Sequence, residues 1–269
     1  MSSFRKTLSA PPSFGLVNWY GLWTLYSREV MRFLKMPMQT LAAPAVTALL
    51  FLVVFSVALG RGTTTVNGVV FVQFMAPGLI MMAIIQNAFQ NATSTLMISK
   101  IQGNIVDILM PPLTSGELLM GFALGGATRG TMVGVIVAVD LYSFVPFSVA
   151  SALLVVVFAV LSSLLLSVIG VIVGIWAYKF DDIATISNFI IIPLSFLSGT
   201  FYSVDRLPEL FQIITRFNPF FYMIDGFRSG FIGQSDSQIG IGLIFLIGLN
   251  LIAWTIGYVF LVTGYKLKA

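Results

Sequence analysis

FVQFMAPGLIMMAIIQNAFQNATST, residues 71–95, is the stretch that decides the fold: it is apolar enough to cross a bilayer, yet carries Gln73, Gln86, Asn87, Gln90 and Asn91. A membrane-crossing helix needs about 20 mostly apolar residues for about 30 Å of hydrocarbon. Gln86 and Gln90 stand four apart, as do Asn87 and Asn91, so a helix carries them as two adjoining hydrogen-bonding stripes. Two readings stand for these amides. They line a path for the polar part of a cargo, or they are hydrogen-bonding contacts between neighbouring helices.

Outward from this segment, five further apolar stretches follow the same rule, giving six expected spans: Met38–Leu59, Phe71–Thr95, Leu118–Val139, Phe147–Ala177, Thr185–Tyr202 and Ile239–Thr263. The chain of 269 residues is 58% apolar and 9% charged, far below the roughly 25% charged residues of soluble domains. The expectation is an all-α, polytopic membrane protein, one transmembrane domain over residues 1–269 with no separate soluble domain, embedded in the lipid bilayer. Residues 1–12 show no apolar core preceding a small-residue cleavage site, so the first span is expected to be a permanent anchor. The net charge of +4 is explained by head groups and topology, and no nucleic-acid partner is expected.

The chain contains neither Cys nor His, which removes disulfides, thiolate metal sites, cysteine nucleophiles and imidazole bases. No G-x-x-x-x-G-K-[ST] stretch is present to wrap a nucleotide phosphate. No catalytic residue, metal ligand or cofactor of its own is expected. Asp181 and Asp182 are read as a solvated pair in a short turn, Tyr178–Ala184.

Charge sets the expected topology. Arg5, Lys6, Arg28, Arg32, Lys35, Lys100, Lys179, Lys266 and Lys268 fall on the side of both termini, against Arg61, Arg206, Arg216 and Arg228 opposite. The positive-inside rule then puts both termini in the cytoplasm.

Before the first span, at about residues 16–36, Trp19, Trp23, Tyr26, Val30 and Phe33 share one helical face, and Arg28, Arg32 and Lys35 the opposite one. This predicts an amphipathic helix lying in the cytoplasmic interface, either as a functional surface or as a plain topology anchor. Between the second and third spans, Ile101–Met110 makes a short amphipathic run with Ile101, Ile105, Ile108 and Leu109 on one face and Gln102, Asn104 and Asp107 around the remainder, stopped by Pro111 and Pro112. The third span carries Gly121, Gly125, Gly126, Gly130 and Gly134, overlapping G-x-x-x-G steps that let helices approach closely. Arg129 lies among them and either faces protein, water or a carboxylate, or snorkels to the head groups.

The fifth span is short and contains Pro193 and Gly199, and the following Phe220–Ile232 is too short to cross. A helix that dips back into the membrane is the expectation. Leu207, Leu210, Phe211, Ile214 and Phe217 form an apolar stripe that ends at Asn218-Pro219, so two short helices are expected at the outer mouth.

Two blocks make the chain recognisable. LSGTFYSVDRLPELFQIITRFNPFFYMIDGFRSGF, residues 197–231, resembles the signature of the type 2 family of ATP-binding-cassette export permeases, small bacterial members related to nodulation-signal, polysaccharide and drug exporters. Ser198-Gly199, Leu207-Pro208, Asn218-Pro219, Tyr222 and Gly226-Phe227-Arg228 stand where that pattern has them. Many members have Phe-Pro after the Ser-Gly step, where this chain has Tyr202-Ser203. Leu109, Pro112, Leu113, Gly125, Gly126, Arg129 and Gly130 resemble a second family block.

The resemblance implies a bacterial inner-membrane permease without its own nucleotide site. Two copies, expected as a homodimer, would assemble with two cytoplasmic ATPase subunits that bind ATP and Mg and drive export of an amphipathic, lipid, glycan or drug-like cargo. It further implies that Arg28, Glu29 and Arg32 of the interfacial helix, with Ile101, Gln102, Ile105 and Asp107 of the cytoplasmic loop, contact the ATPase. Ser198, Gly199, Pro208, Asn218, Pro219, Tyr222 and Arg228 would belong to a re-entrant outer hairpin. The alternatives are an ion-gradient-driven carrier, for which Arg129 is a weak candidate, and, less favoured, an intramembrane lipid-modifying enzyme.

Overall fold

The computed structural model describes residues 17–58, 65–66, 68–204 and 207–266. Arg5, Lys6, Arg61, Arg206 and Lys268, used above for topology, lie outside the described residues. The elements in chain order are α1 (Trp19–Leu34), a π-helical turn (Met38–Ala42) running into α2 (Ala43–Ala58), a two-residue hairpin β1 (Thr65–Val66) and β2 (Val69–Val70), α3 (Phe71–Ile101), α4 (Ile105–Leu109) and α5 (Ser115–Phe144). There follow α6 (Ala152–Trp176), α7 (Phe180–Ile186), a π turn (Ser187–Ile191), α8 (Ile192–Phe196), α9 (Glu209–Phe217), α10 (Pro219–Ile232) and α11 (Ile239–Thr263).

Among the described residues, five helices are long and apolar enough to cross a membrane: Met38–Val57, α3, α5, α6 and α11. The expected fifth span, Thr185–Tyr202, differs. Its helix begins earlier, at Phe180, and breaks after Phe196, where Gly199 takes a left-handed backbone with φ 75°. The continuous helical run over 180–196 falls short of the roughly 20 residues a straight crossing requires. Other boundaries shift with their caps. Ser151 accepts from the Leu154 amide and starts α6 several residues after the expected Phe147. Thr114 and Glu117 form a reciprocal capping box that starts α5 at Ser115 rather than Leu118.

α3, α5 and α6 alternate in direction, and α11 runs the same way as α6. Lys100 Nζ at the end of α3 donates to the Ile175 and Ala177 carbonyls at the end of α6, and Lys266 after α11 donates to the Trp176 carbonyl. We call this the basal end. Gln73 Nε2 at the start of α3 reaches the Pro146 carbonyl between α5 and α6 at the apical end. The described N- and C-terminal segments therefore both lie at the basal end.

The centre of the bundle is α3, which is enclosed along almost its whole length, whereas α2 and α11 are mostly exposed. Lipid tails are as apolar as Leu, so helices in a bilayer associate through close packing and hydrogen bonds rather than through a hydrophobic drive. The α5 glycines meet that demand. A Cβ at Gly130 would lie 2.7 Å from the Ile84 carbonyl oxygen, and one at Gly126 would lie 2.9 Å from the Ala88 carbonyl. On the opposite flank of α3, a Cβ at Gly170 of α6 would lie 2.6 Å from the Phe89 carbonyl. α3 is thus clamped between two helices that leave room for its backbone.

With 31 residues, α3 is about 46 Å long at 1.5 Å per residue, well beyond the hydrocarbon thickness. Its residues past Ser94 extend below the start of α2, and α1 packs beside this extension and along the first half of α5. The face of α1 that contacts the protein is only partly the aromatic one. Leu25, Glu29 and Phe33 are buried, while Trp19 and Trp23 are 71% and 66% exposed. At about 100° per residue, the buried stripe lies roughly a quarter turn from the aromatic stripe. The cause is on α5, where Gly121 and Gly125 leave a shallow channel that Leu25 and Glu29 occupy. Asn18 adds a tether: its amide N donates to Glu117 Oε1 at 2.5 Å and its Nδ2 to the Pro112 carbonyl at 3.1 Å.

Substituting Gly130→Val forces a side chain against backbone and is expected to destabilise the bundle by about 1–3 kcal/mol, the usual range for overpacking. Gly248→Ala on α11, where nothing lies within 4 Å of the added carbon, serves as the neutral control. Thermal unfolding in detergent, followed by circular dichroism, separates the two.

Candidate functional site

Three polar constellations interrupt the apolar bundle, and α3 touches all of them. The first is a cavity of about 570 Å³ bounded by the end of α1, the start of α2, the basal half of α3, Arg129 of α5, and α7. Gln86, Asn87, Gln90 and Asn91 all line it. Asn87 and Asn91 are buried and Gln90 exposed, so the two expected stripes differ in depth. Arg129 Nη2 donates to Asn87 Oδ1 at 3.2 Å, and Arg32 Nη2 donates to Asn91 Oδ1 at 3.0 Å and to the Asn91 carbonyl at 2.9 Å. Arg129 therefore does not snorkel away; it faces protein amides and an open space. Of the remaining wall, Phe33, Met36, Ala48, Phe51, Leu79 and Met82 are apolar, interspersed with Gln39, Thr40, Thr47, Thr93 and Ser94.

The second constellation is a basal groove of about 430 Å³ between α1 and the α3–α4 connection. Arg28, Arg32 and Lys35 line one side, and Gln102, Asn104, Asp107 and Ile108 the other. At its floor sits Glu29, which is 1% exposed, accepts from Thr95 Oγ1 at 2.6 Å, and pairs with Arg32 at 3.1 Å and Arg28 at 3.5 Å. This corrects the expectation that Glu29 presents a charge to a partner: its carboxylate ties α1 to α3. Burial lowers the Arg32 guanidinium from its ordinary pKa, with Glu29 opposing that shift. The loop helix is also shorter than Ile101–Met110. Gly103 at φ 71° ends α3, leaving only Ile105–Leu109 as α4. Ile105 and Ile108 are buried, whereas Ile101 and Leu109, expected on the same face, are exposed. Gln102 and Asp107 are exposed beside the groove.

Asp181 and Asp182, expected in a turn, stand in the first turn of α7. Asp182 accepts from the Tyr178 amide at 2.9 Å and the Lys179 amide at 3.2 Å, and those bonds hold its carboxyl below the usual range.

The third constellation is apical. Arg228, counted above among outward-facing charges, is 2% exposed and belongs to the interior instead. Its Nη2 lies 3.2 Å from Asp225 and 3.3 Å from Asp236, its Nη1 donates to the Gly199 carbonyl at 2.9 Å, and its guanidinium stacks over Phe74 of α3 at 4.0 Å. Asp225 also accepts from the Ser235 and Ser237 hydroxyls and the Asp236 and Ser237 amides, which folds the loop between α10 and α11 onto α10. Burial pushes the Asp236 carboxyl up, opposed by Arg228. Ser203, which stands where the family resemblance has Pro, donates to Asp236 at 3.2 Å. Asn218 caps α10 and sends its Nδ2 to the Leu194 carbonyl and to Ser198 Oγ, both at 2.8 Å, pinning the break after α8. Tyr222 packs against α11 through Phe245 and Gly242, Pro208 precedes α9, and Pro219 opens α10.

Sequence reasoning placed Ser198, Gly199, Asn218 and Arg228 in one segment but missed Asp225, Asp236 and Ser203. The Ser235-Asp236-Ser237 run downstream of a helical carboxylate was the available signal.

A bundle of long apolar helices with a polar-lined cavity between α1, α2, α3 and α7 and a basic groove at one end fits a multi-pass membrane protein. Residues 20–232 match the ABC-2 type transporter family model, and the chain belongs to that family. It is 36% identical over 242 residues to the inner membrane transport permease YadH of Escherichia coli strain K12, covering 88% of this chain and 94% of that protein. A more distant relative is nodulation protein J of Rhizobium meliloti strain 1021, 24% identical over 243 residues, covering 88% of this chain and 90% of that protein. Family membership makes the chain the membrane-embedded permease component of a transporter.

Replacing Arg228 with Ala leaves two buried carboxylates without their cation, and removing one partner of a buried ion pair costs about 3–5 kcal/mol. The expected result is a lowered unfolding midpoint and new proteolytic cleavage between residues 233 and 238. Glu29→Ala is expected to leave the bundle's melting temperature nearly unchanged while amide exchange in α1 accelerates, measured by hydrogen–deuterium exchange.

Proposed function

We propose that this chain is the permease of an ATP-driven exporter in a bacterial inner membrane, working with a separate cytoplasmic ATP-binding subunit. The observation that carries this reading is that one residue, Arg32, lines both the basal groove and the central cavity. A partner seated in the groove therefore touches a wall of the chamber. The groove's exposed Arg28, Lys35 and Asp107 offer charges of both signs for docking, and Gln102 adds a neutral hydrogen-bonding amide. The buried Ile105 seats the loop, and exposed Ile101 adds an apolar contact at its edge.

In this reading the helix over 180–196 is a sixth crossing, completed by the π turn and tilt of its neighbours, and α10 is a re-entrant helix entering and leaving at the apical face. Gly226 and Gly230 of α10 abut Phe158 and Ser151–Val155 at the start of α6, which supports an apical position. Six of the described basic residues, Arg28, Arg32, Lys35, Lys100, Lys179 and Lys266, stand at the basal end against apical Arg216 and the buried Arg228. This asymmetry favours a cytoplasmic basal end with both termini inside. Two permease copies pair with two ATPase subunits, which bind ATP and Mg; this chain holds no nucleotide and catalyses no reaction alone. Export rather than import follows from the family resemblance. Gln86, Asn87, Gln90 and Asn91 line the cargo path, and Gly125, Gly126 and Gly130 pack around Arg129.

The test is reconstitution with the ATPase encoded nearest to this gene. Vanadate-sensitive ATP turnover is expected only when both proteins are present. Arg28→Glu and Asp107→Lys are expected to reduce the permease-dependent turnover severalfold while leaving membrane insertion intact. Turnover by the permease alone, or epitope tags at the two termini reporting on opposite membrane faces, overturns the reading.

A further inference from the structure

The central cavity is polarised in one sense. Among the described residues, its only charged lining residues are Arg32 and Arg129, and no carboxylate lines it. Glu29, the one acid bonded to Arg32, faces the basal groove instead. Among the described residues Arg129 forms no ion pair; its guanidinium donates to the Asn87 amide oxygen at 3.2 Å.

Gln39, Gln86, Gln90 and several hydroxyls on the lining supply neutral acceptors, but the buried groups next to the two guanidiniums are short of them. Asn87 and Asn91 spend their side-chain oxygens on the two guanidiniums, and Asn87 Nδ2 donates to the Ala83 carbonyl. Three buried N–H groups are left with no acceptor: Arg32 Nε, Arg129 Nε and Asn91 Nδ2, the last on a side chain with 0% exposure. Buried donors without partners are costly, and two guanidiniums near one another repel. A site with surplus donors and surplus positive charge is matched by an anion with several acceptor oxygens. The facing wall of Phe33, Met36, Phe51, Leu79 and Met82 cannot satisfy such an anion; it fits a hydrocarbon chain.

We propose that the cavity binds an anionic amphiphile, with a phosphate or carboxylate head held by Arg129, Arg32 and Asn91 and an apolar tail laid along the α1–α2 wall. This deepens the export reading, on which it rests, by naming the chemistry of the cargo. A cationic amphiphile meets like charge at the head position, and an uncharged one leaves the two guanidinium charges without a counter-charge.

The experiment uses the full chain in phosphatidylcholine nanodiscs without any ATPase, so its failure leaves the groove-coupled ATPase reading untouched. Four probes are titrated by thermophoresis: dodecyl phosphate, dodecanoate, inorganic phosphate and dodecyltrimethylammonium. Saturable binding of the two anionic amphiphiles is expected, with inorganic phosphate much weaker and no saturable binding of the cation. Arg129→Gln is expected to weaken dodecyl phosphate by roughly tenfold or more, the loss of a charge-assisted contact. Gln86→Glu, isosteric and on the same cavity wall, adds a negative charge without changing shape and is expected to weaken it severalfold. This second variant carries the test if Arg129→Gln does not fold. Equal affinity in Gln86→Glu and the unaltered chain, or binding of the cation as tight as that of dodecyl phosphate, overturns the proposal. Inorganic phosphate binding as tightly as dodecyl phosphate overturns the amphiphile and makes the ligand a free oxyanion.

Discussion

Every other feature of this molecule depends on α3 being surrounded by protein. A helix that carries Gln86, Asn87, Gln90 and Asn91 through a bilayer needs partners for those amides, since hydrocarbon supplies none. The partners reach it only because α5 and α6 present glycines to its backbone, with the Ile84, Ala88 and Phe89 carbonyls nearly in contact with Gly130, Gly126 and Gly170. Close approach brings Arg129 beside Asn87, and the basal part of α3 brings Thr95 and Asn91 within reach of Glu29 and Arg32. The small residues on the flanking helices thus create the polar centre.

The apical end solves a related problem with charge. The chain breaks its helix at Leu197–Gly199 and again at Asn218, leaving carbonyls of Leu194 and Gly199 inside the fold. Asn218 and Arg228 donate to them at 2.8 and 2.9 Å. Arg228 in turn needs carboxylates, and Asp225 and Asp236 provide two, one on its own helix and one from the following loop. Irregular backbone is tolerated at depth where protein satisfies it, and this ion cluster is the local means.

Much of the architecture was legible in the sequence because bilayer thickness imposes length. The spans at Met38, Phe71, Leu118 and Ile239 are within a few residues of the helices found, as is the amphipathic helix before them. What periodicity could not give was rotation. The aromatic stripe of α1 looks like the buried face, yet Gly121 and Gly125 on a helix almost 100 residues away select Leu25 and Glu29 instead. Hydrophobicity predicts poorly where the surroundings are also apolar, because the choice of contact face falls to shape and to hydrogen bonds. Asp225 and Asp236 escaped for a different reason: 11 positions apart in sequence, they become neighbours only when the α10–α11 loop folds back, and the Asp236 amide then bonds the Asp225 carboxylate. Gly103 shortens the basal loop helix by setting a left-handed turn that an apolar pattern does not register.

The distance over which the groove and the cavity communicate is one side chain. Arg32 contacts Glu29 on the groove side and Asn91 on the cavity side, and Glu29 contacts Thr95 one helical turn below Asn91. Rotating α1 by even a fraction of its quarter-turn offset exchanges the buried stripe for an adjacent one, so Glu29 leaves the channel made by Gly125 and Arg32 leaves the amide. Such a change alters the number of unpaired donors in the chamber, and hence its affinity for an anion, without any long chain of intermediates. Only contacts that differ between two states can shift one state against another, and on the proposed reading this pair of residues would supply them. Trp19 and Trp23 are mostly exposed, Trp23 touching Tyr26 of its own helix, so α1 is restrained by Leu25, Glu29 and Phe33 and by Asn18.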